Sequence, residues 1–97
     1  MKHATDTTLD QLDDLLVALR QLDGVREKKR GTFYRKSSAF LHFHEDPKGL
    51  FADLRYPDDW HRFPVNTKAE QDALVAASQI ILVVNRIGNK TGDGYGE

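Results

Sequence analysis

The sequence predicts a small α+β domain with an N-terminal helix, a three- to four-stranded antiparallel sheet, and a C-terminal helix packed on one sheet face. Leucines spaced three and four residues apart near the start of the chain indicate an amphipathic helix. Alternating apolar and polar residues in the middle indicate strands, and a second helix-start signal follows them. A chain of 97 residues is long enough for one such domain.

The N-terminal helix is predicted over residues 8–22. Thr8 is the predicted cap, with Gln11 as its reciprocal partner, and Gly24 is the predicted left-handed stop. The apolar stripe of this helix consists of Leu9, Leu12, Leu15, Leu16, Leu19 and Leu22.

A β-hairpin is predicted in the centre of the chain. Residues 39–45 and 50–56 alternate in polarity. The turn between them is Asp46–Gly49, where proline pre-sets one dihedral angle and glycine takes a left-handed position. Residues 32–35 add a short strand, and residues 60–65 form at most an edge strand because they contain a proline.

The C-terminal helix is predicted to start at a second capping box, Thr67–Glu70, and to end near Ile87. β-Branched residues before this end suit a strand as well, so a strand is the alternative for residues 80–87. The glycine-rich residues 88–97 are predicted to be a flexible tail, which leaves residues 1–87 as a single domain.

Composition and charge narrow the class of function. The absence of cysteine excludes disulfides, thiolate nucleophiles and cysteine-ligated zinc. A formal net charge of −1 gives no field that favours nucleic acid or an anionic membrane. The polar N-terminus and the short apolar runs predict a soluble cytoplasmic protein without a membrane partner. Phosphate-loop, dinucleotide-binding, nucleophile-elbow and metalloprotease motifs are absent from the sequence.

The alternation in the hairpin also predicts a polar sheet face. If both strands turn their apolar residues to the core, the intervening residues share the opposite face, because successive side chains on a strand alternate. This register groups together His42, His44, Asp53 and Arg55. Two turn lengths satisfy it, so the cross-strand pairs stay open. His3 is predicted to be a disordered terminal residue.

Three chemical interpretations of this polar face are open. His42, His44 and Asp53 could hold Zn²⁺ or Fe²⁺, since His-X-His points both imidazoles to one side. The same residues could perform acid–base chemistry, with Asp53 orienting a histidine and Arg55 binding an anionic substrate. The sequence favours the third interpretation, a solvated face without a cofactor, because an open sheet face is ordinarily polar.

A basic cluster lies between the first helix and the hairpin. Its residues Lys28, Lys29, Arg30 and Arg35, with two aromatic residues among them, could contact phosphates and stack bases. Glu27 interrupts the run, and the rest of the chain balances its charge. A solvated loop is therefore favoured over a nucleic-acid interface.

Four segments, Leu22–Val25, Gly31–Tyr34, Ala39–Phe43 and Gly49–Arg55, resemble small bacterial proteins of the YjbR (MmcQ) type. The likeness covers roughly residues 9–78 and rests on the order and character of the segments. The resemblance implies a helix before an antiparallel sheet and another helix after it, in an arrangement likened to frataxin-like and double-wing folds. It also implies a DNA-binding role.

The sequence predicts a binding or interaction domain rather than an enzyme. The missing catalytic motifs and the mixed aromatic and polar face favour this hypothesis, with a protein, DNA or a second copy of the chain as partner. The alternative is a metal-dependent or acid–base enzyme centred on His42, His44 and Asp53. The segment His42–Pro57 is also similar to uncharacterised luciferase-related domains. This resemblance implies no catalytic residue in the present chain.

Overall fold

The computed structural model describes the backbone of residues 2–94 and the side chains of residues 2–84. This part of the chain has the predicted α+β class, with one antiparallel sheet and three helices. The strands are β1 (Lys2–His3), β2 (Arg26–Lys29), β3 (Thr32–Arg35), β4 (Ser38–Asp46), β5 (Gly49–Arg55) and β6 (Trp60–Pro64). The helices are α1 (Asp6–Gln11), α2 (Asp13–Arg20) and α3 (Lys68–Gly94). Within the described residues, no helix is long and apolar enough to cross a membrane.

The sheet has the order β2-β3-β4-β5-β6, and each neighbouring pair is antiparallel. β1 lies off this path and pairs with the end of β4, with Lys2 opposite Glu45 and His3 opposite His44. β3 pairs with only the first part of β4, at Ser38–Leu41. β1 therefore occupies the part of the β4 edge that β3 leaves, and the start of the chain lies beside the middle of the sheet.

The core lies between the helices and one face of the sheet. Leu41 and Phe43 of β4 pair with Leu54 and Ala52 of β5, and all four side chains are buried. They belong to one cluster with leucines of the helices and of the α1–α2 junction: Leu9, Leu12, Leu15, Leu16, Leu19, Leu74 and Leu82. Burying one such leucine stabilises the fold by roughly 1.5–3 kcal/mol, so the cluster holds the hairpin in one register. α3 packs against α2 and β6, which confirms the predicted position of the C-terminal helix.

The N-terminal helix differs from its prediction at its start and in its middle. It begins at Asp6, where the hydroxyl of Thr5 accepts the amide hydrogen of Thr8 at 3.4 Å, so Thr5 is the cap. Leu12 separates α1 from α2. The hydroxyl of Thr8 donates instead to Glu45 of β4, at 2.5 Å, and ties α1 to the sheet.

The sheet has six strands, so the prediction of three to four was too low. The basic cluster that the sequence favours as a solvated loop includes β2, which pairs with β3 through a two-residue turn at Arg30 and Gly31. Gly31 has a φ of +81°, which favours glycine. β2 is mostly exposed on both faces, and β1 has two residues, so neither strand carries the apolar alternation that marks a strand in a sequence.

The predicted turn and capping box are confirmed. Gly49, which opens β5 after the Pro47–Lys48 turn, has a φ of +139°. At the start of α3, the amide of Glu70 donates to the Thr67 hydroxyl and the amide of Thr67 donates to the Glu70 carboxylate, both at 3.1 Å. Such reciprocal bonds satisfy amides that have no partner inside the helix.

The C-terminal helix is longer than predicted. Residues 80–87 are helical, which excludes the strand alternative, and α3 continues past Ile87 to Gly94. The flexibility of residues 88–97 stays a prediction, and residues 95–97 lie outside the described part of the chain.

Candidate metal centre

The β4–β5 register forms the polar face that the alternation predicts. His42 lies directly opposite Asp53, and His44 lies two positions further along β4. Their neighbours in sequence are buried in the core, so these side chains lie on the other face of the sheet. Two further strands add to this face, with Arg62 of β6 opposite Asp53 and His3 of β1 opposite His44.

Three histidines converge on the polar face. One ring nitrogen from each of His3, His42 and His44 can be chosen so that all three atoms lie within 4.8 Å of one another. The ring centroids of His3 and His44 are 5.1 Å apart and nearly stacked, and those of His42 and His44 are 4.7 Å apart and nearly perpendicular. We call these three residues the histidine cluster. It draws on two strands that are far apart in sequence.

Asp53 lies beside the histidine cluster and is held by Arg62. The Nε and Nη2 atoms of Arg62 donate to the two carboxylate oxygens of Asp53 at 3.0 and 3.2 Å. Oδ2 of Asp53 also lies 3.0 Å from Nε2 of His44. The metal interpretation of the sequence has Asp53 as the third ligand, but the group of donor atoms within 4.8 Å of one another consists of the three histidines. Its position suits a residue that orients a ligand.

The protonation states on this face follow from burial and charge. Burial alone would raise the pKa of the Asp53 carboxyl, but the hydrogen bonds and positive charge of Arg62 hold that pKa below its ordinary value. Burial lowers the pKa of the His42 imidazole, and a positive charge on His44 lowers it further. At neutral pH Asp53 is therefore an anion, and His42 is a neutral imidazole with a lone pair to offer a metal.

Three imidazole nitrogens on this face are buried and have no hydrogen-bond partner among the described residues. They are Nδ1 of His42 and both ring nitrogens of His44. Nε2 of His44 is close to Asp53, but the direction of approach is not that of a hydrogen bond. An unpaired buried polar atom costs about 1–3 kcal/mol. A cation that accepted one lone pair from each imidazole would remove this cost at Nδ1 of His42 and at one nitrogen of His44.

Trp60 forms a wall of the histidine cluster. Its ring centroid lies 4.5 Å from that of His42. On β5, the guanidinium carbon of Arg55 lies 5.8 Å from the same indole centroid, which is a cation–π distance. Arg55 thus joins the polar face, where it contacts the indole of Trp60 and makes no ion pair with Asp53.

The basic residues that form the alternative nucleic-acid interface lie on β2, β3 and the turn between them: Lys28, Lys29, Arg30 and Arg35. Arg30 is engaged by α1, with Nη2 at 2.6 Å from the Asp10 carboxylate. The ammonium of Lys28 lies 4.7 Å from the centroid of the Tyr34 ring. Arg35 lies at the far end of β3. The four basic side chains therefore have different contacts, and the charge of Arg30 is already neutralised by Asp10.

His3 and Arg62 are the residues that sequence reasoning missed. Arg62 was within reach, since extending the alternation of the hairpin across β6 puts it opposite Asp53. His3 had no comparable signal, because its position depends on a two-residue strand. The remaining histidine, His61, is exposed, pairs with Leu54 and lies near the carbonyl oxygen of Tyr56.

No family model matches this chain, and no curated protein or solved structure matches it at a significant level. The resemblance to proteins of the YjbR type therefore stays a prediction.

Proposed function

We propose that this chain is a metal-binding domain in which His3, His42 and His44 hold one divalent transition-metal ion, with Zn²⁺ as the expected ion. The observation that carries the proposal is the convergence of three imidazole donors within 4.8 Å. His42 and His44 come from adjacent positions on one face of β4, and β1 adds His3. This third donor moves the metal interpretation ahead of the solvated face that the sequence alone favours.

Zn²⁺ suits the donors better than Fe²⁺. Imidazole nitrogens are ordinary zinc ligands, whereas non-haem Fe²⁺ sites typically combine two histidines with a carboxylate. The carboxylate of Asp53 is already bonded to Arg62 through both oxygens. Three protein ligands leave one position of a tetrahedral zinc ion open to water or a substrate, which is the arrangement of catalytic zinc sites.

The donors need to approach each other before they bind. With Zn–N distances of about 2.0–2.1 Å, tetrahedral donors lie about 3.3 Å apart. The cluster spans up to 4.8 Å, so its atoms must close by about 1.5 Å at most. His3 is exposed and belongs to a two-residue strand, so its side chain can supply most of this movement. His42 and His44 are half-buried on the central strand and form the fixed part of the site.

Zinc titration of protein without a polyhistidine tag, after chelator treatment, tests the proposal. We expect one zinc per chain. Free zinc at 100 times its Kd adds about 2.7 kcal/mol to the free energy of unfolding. For a domain of this size the Tm then rises by about 10 °C or more. Absence of stoichiometric zinc together with an unchanged Tm would overturn the proposal.

Histidine variants locate the site. We expect His42→Ala and His44→Ala each to lower zinc affinity by more than about 100-fold, since even groups that merely orient a ligand are worth 10–100-fold. His3→Ala is expected to act in the same direction. His61→Ala is the matched control, because it removes the one histidine outside the cluster. Equal losses in His61→Ala and His42→Ala would mean nonspecific binding to surface histidines.

Cobalt gives a direct view of the coordination. Tetrahedral Co²⁺ absorbs visible light more strongly than octahedral Co²⁺, so a rise in that absorption on loading reports the proposed geometry. Trp60 is the only tryptophan of the chain and lies against His42, so its fluorescence follows the same titration. An octahedral cobalt spectrum would contradict a three-histidine tetrahedral site.

A further inference from the structure

A cleft lies at the end of the sheet where the β3–β4 turn meets the connection from β5 to β6. Its volume is about 80 Å³. The residues that line it are Arg35, Ser38, Ala39, Phe40, Arg55, Pro57 and Asp58. Two arginines, a hydroxyl and one carboxylate thus surround a small concave space, separate in its lining from the histidine cluster.

The topology explains why the two arginines meet. Arg35 is the last residue of β3 and pairs with Ser38, the first residue of β4, across a tight turn. Arg55 is the last residue of β5, which runs in the same direction as β3 on the other side of β4. Both strands therefore deliver their final side chain to the same end of the sheet. Asp58 reaches the cleft from the following connection.

The charge in the cleft is not neutralised. Among residues 2–84, neither Arg35 nor Arg55 has a carboxylate oxygen within 4.0 Å, whereas Arg20, Arg30 and Arg62 each have at least one. Asp58 lines the same space, so two positive groups face one negative group. A guanidinium that is only half-buried and unpaired can use its N–H edges for a ligand.

The indole ring of Trp60 contacts the guanidinium of Arg55. The ring centroid lies 5.8 Å from the guanidinium carbon, so the indole positions the group by a cation–π contact and leaves its N–H bonds free. Arg guanidinium groups bind carboxylate and phosphate oxygens with two parallel hydrogen bonds. Arg35 and Arg55 together can therefore surround one oxyanion.

We propose that Arg35 and Arg55 form a binding site for the oxyanion group of a small molecule, either a phosphate or a carboxylate. The cleft has room for a few water molecules, by the share of about 30 Å³ that each occupies in the liquid. A terminal phosphate or carboxylate is small enough for this space. With Asp58 nearby, the net charge of the lining favours a single negative charge on the ligand.

Anion titration of chelator-treated protein at constant ionic strength tests the site. The two probes are inorganic phosphate and acetate, and they distinguish the two sources of the oxyanion. Trp60 fluorescence and the Nε–H signals of the arginines in NMR spectra provide the readouts. We expect saturable binding of at least one probe, with shifts of the Arg35 and Arg55 signals. Failure of both probes to saturate would overturn the proposal.

Four substitutions make the result specific. Arg35→Gln and Arg55→Gln are each expected to weaken binding by about tenfold or more, because each removes charge-assisted hydrogen bonds. Asp58→Asn is expected to strengthen it, because it removes the opposing charge. Arg26→Gln is the matched control, since Arg26 is exposed on β2 and does not line the cleft. An equal loss of anion affinity in Arg26→Gln would mean that binding depends only on the net charge of the protein, which would contradict the site.

Two further measurements separate this site from other functions. His42→Ala protein is expected to bind the anion as the unsubstituted protein does, so failure of the metal proposal leaves this one intact. A single-stranded DNA oligomer is expected not to compete with the small anion. Competition by DNA at a lower concentration than either probe would overturn the small-molecule site and indicate a nucleic-acid-binding surface.

Discussion

His44 and Asp53 meet diagonally across β4 and β5, with Nε2 of the imidazole 3.0 Å from Oδ2 of the carboxylate. The residue directly opposite Asp53 is His42, so the contact to His44 depends on the carboxylate being turned along the strand. Arg62 produces this orientation by bonding both carboxylate oxygens. A small rotation of the imidazole would let Nε2 donate to Asp53, which leaves the Nδ1 lone pair of His44 for a metal.

This relationship predicts that Asp53→Asn weakens zinc binding without abolishing it. The amide keeps the shape of the side chain but loses the negative charge that orients His44. We expect a loss of about 10–100-fold in zinc affinity, the usual effect of removing such a partner. Competition with a chromophoric chelator measures it.

Asp46→Asn is the control for this prediction. Asp46 is the last residue of β4, opposite Gly49, and lies outside the histidine cluster. Its substitution removes the same charge from the same hairpin. Unchanged zinc affinity in Asp53→Asn, or an equal loss in both variants, would show that Asp53 does not orient His44.

The fold was predictable from the sequence where apolar side chains alternate or repeat. The hairpin register followed from parity, because a shift by one residue would expose Leu41 and Leu54. β2 could not be predicted in this way. It has one half-buried residue among four, so its pairing depends on the turn at Gly31 and on hydrogen bonds, which leave no apolar pattern in the sequence.

The core of α2 predicts a sharp contrast between two adjacent residues. Leu16 has no exposed surface, whereas Val17 is 46% exposed. Leu16→Ala is expected to lower the free energy of unfolding by about 2–5 kcal/mol, because it removes buried contacts and leaves a cavity. Val17→Ala is expected to change it by less than about 0.5 kcal/mol. Urea unfolding followed by circular dichroism measures both, and similar losses would contradict the packing described for α2.

Two glycines with positive φ angles predict a second contrast. Gly31 has φ +81° and Gly24 has φ +96°, so alanine strains the backbone at both positions. A Cβ at Gly31 would also lie 2.8 Å from a methyl carbon of Leu9, whereas the nearest atom to a Cβ at Gly24 is 3.6 Å away. Gly31→Ala is therefore expected to lower the Tm more than Gly24→Ala. The reverse order in thermal unfolding would contradict the contact between the β2–β3 turn and α1.

The candidate site was half predictable, and the reason is the distance along the chain between its parts. His42, His44 and Asp53 belong to one hairpin, so local alternation places them together. His3 lies beside them only because β1 pairs with the part of the β4 edge that β3 leaves free. Pairing across 41 positions, from residue 3 to residue 44, is set by the folded sheet and has no local signature.

Glu27 connects the same β2–β3 turn to α2 and predicts how stability depends on pH. Its carboxylate accepts hydrogen bonds from the guanidinium of Arg20 and, at 2.8 Å, from the amide of Gly31. Burial alone would raise the pKa of Glu27, but these hydrogen bonds and the charge of Arg20 hold it below its ordinary value of 4.5.

A carboxyl with a lowered folded-state pKa stabilises the fold above its unfolded-state pKa, and this stability is lost as the pH falls through the folded-state value. The difference in free energy of unfolding between the unsubstituted protein and Glu27→Gln is therefore expected to be constant above about pH 5 and to shrink below it. Urea unfolding from pH 3 to 7 measures this difference, and Arg20→Gln is expected to reduce its pH-dependent part. A difference that stays constant down to pH 3 would mean that Glu27 is not tied to Arg20 and Gly31 in solution.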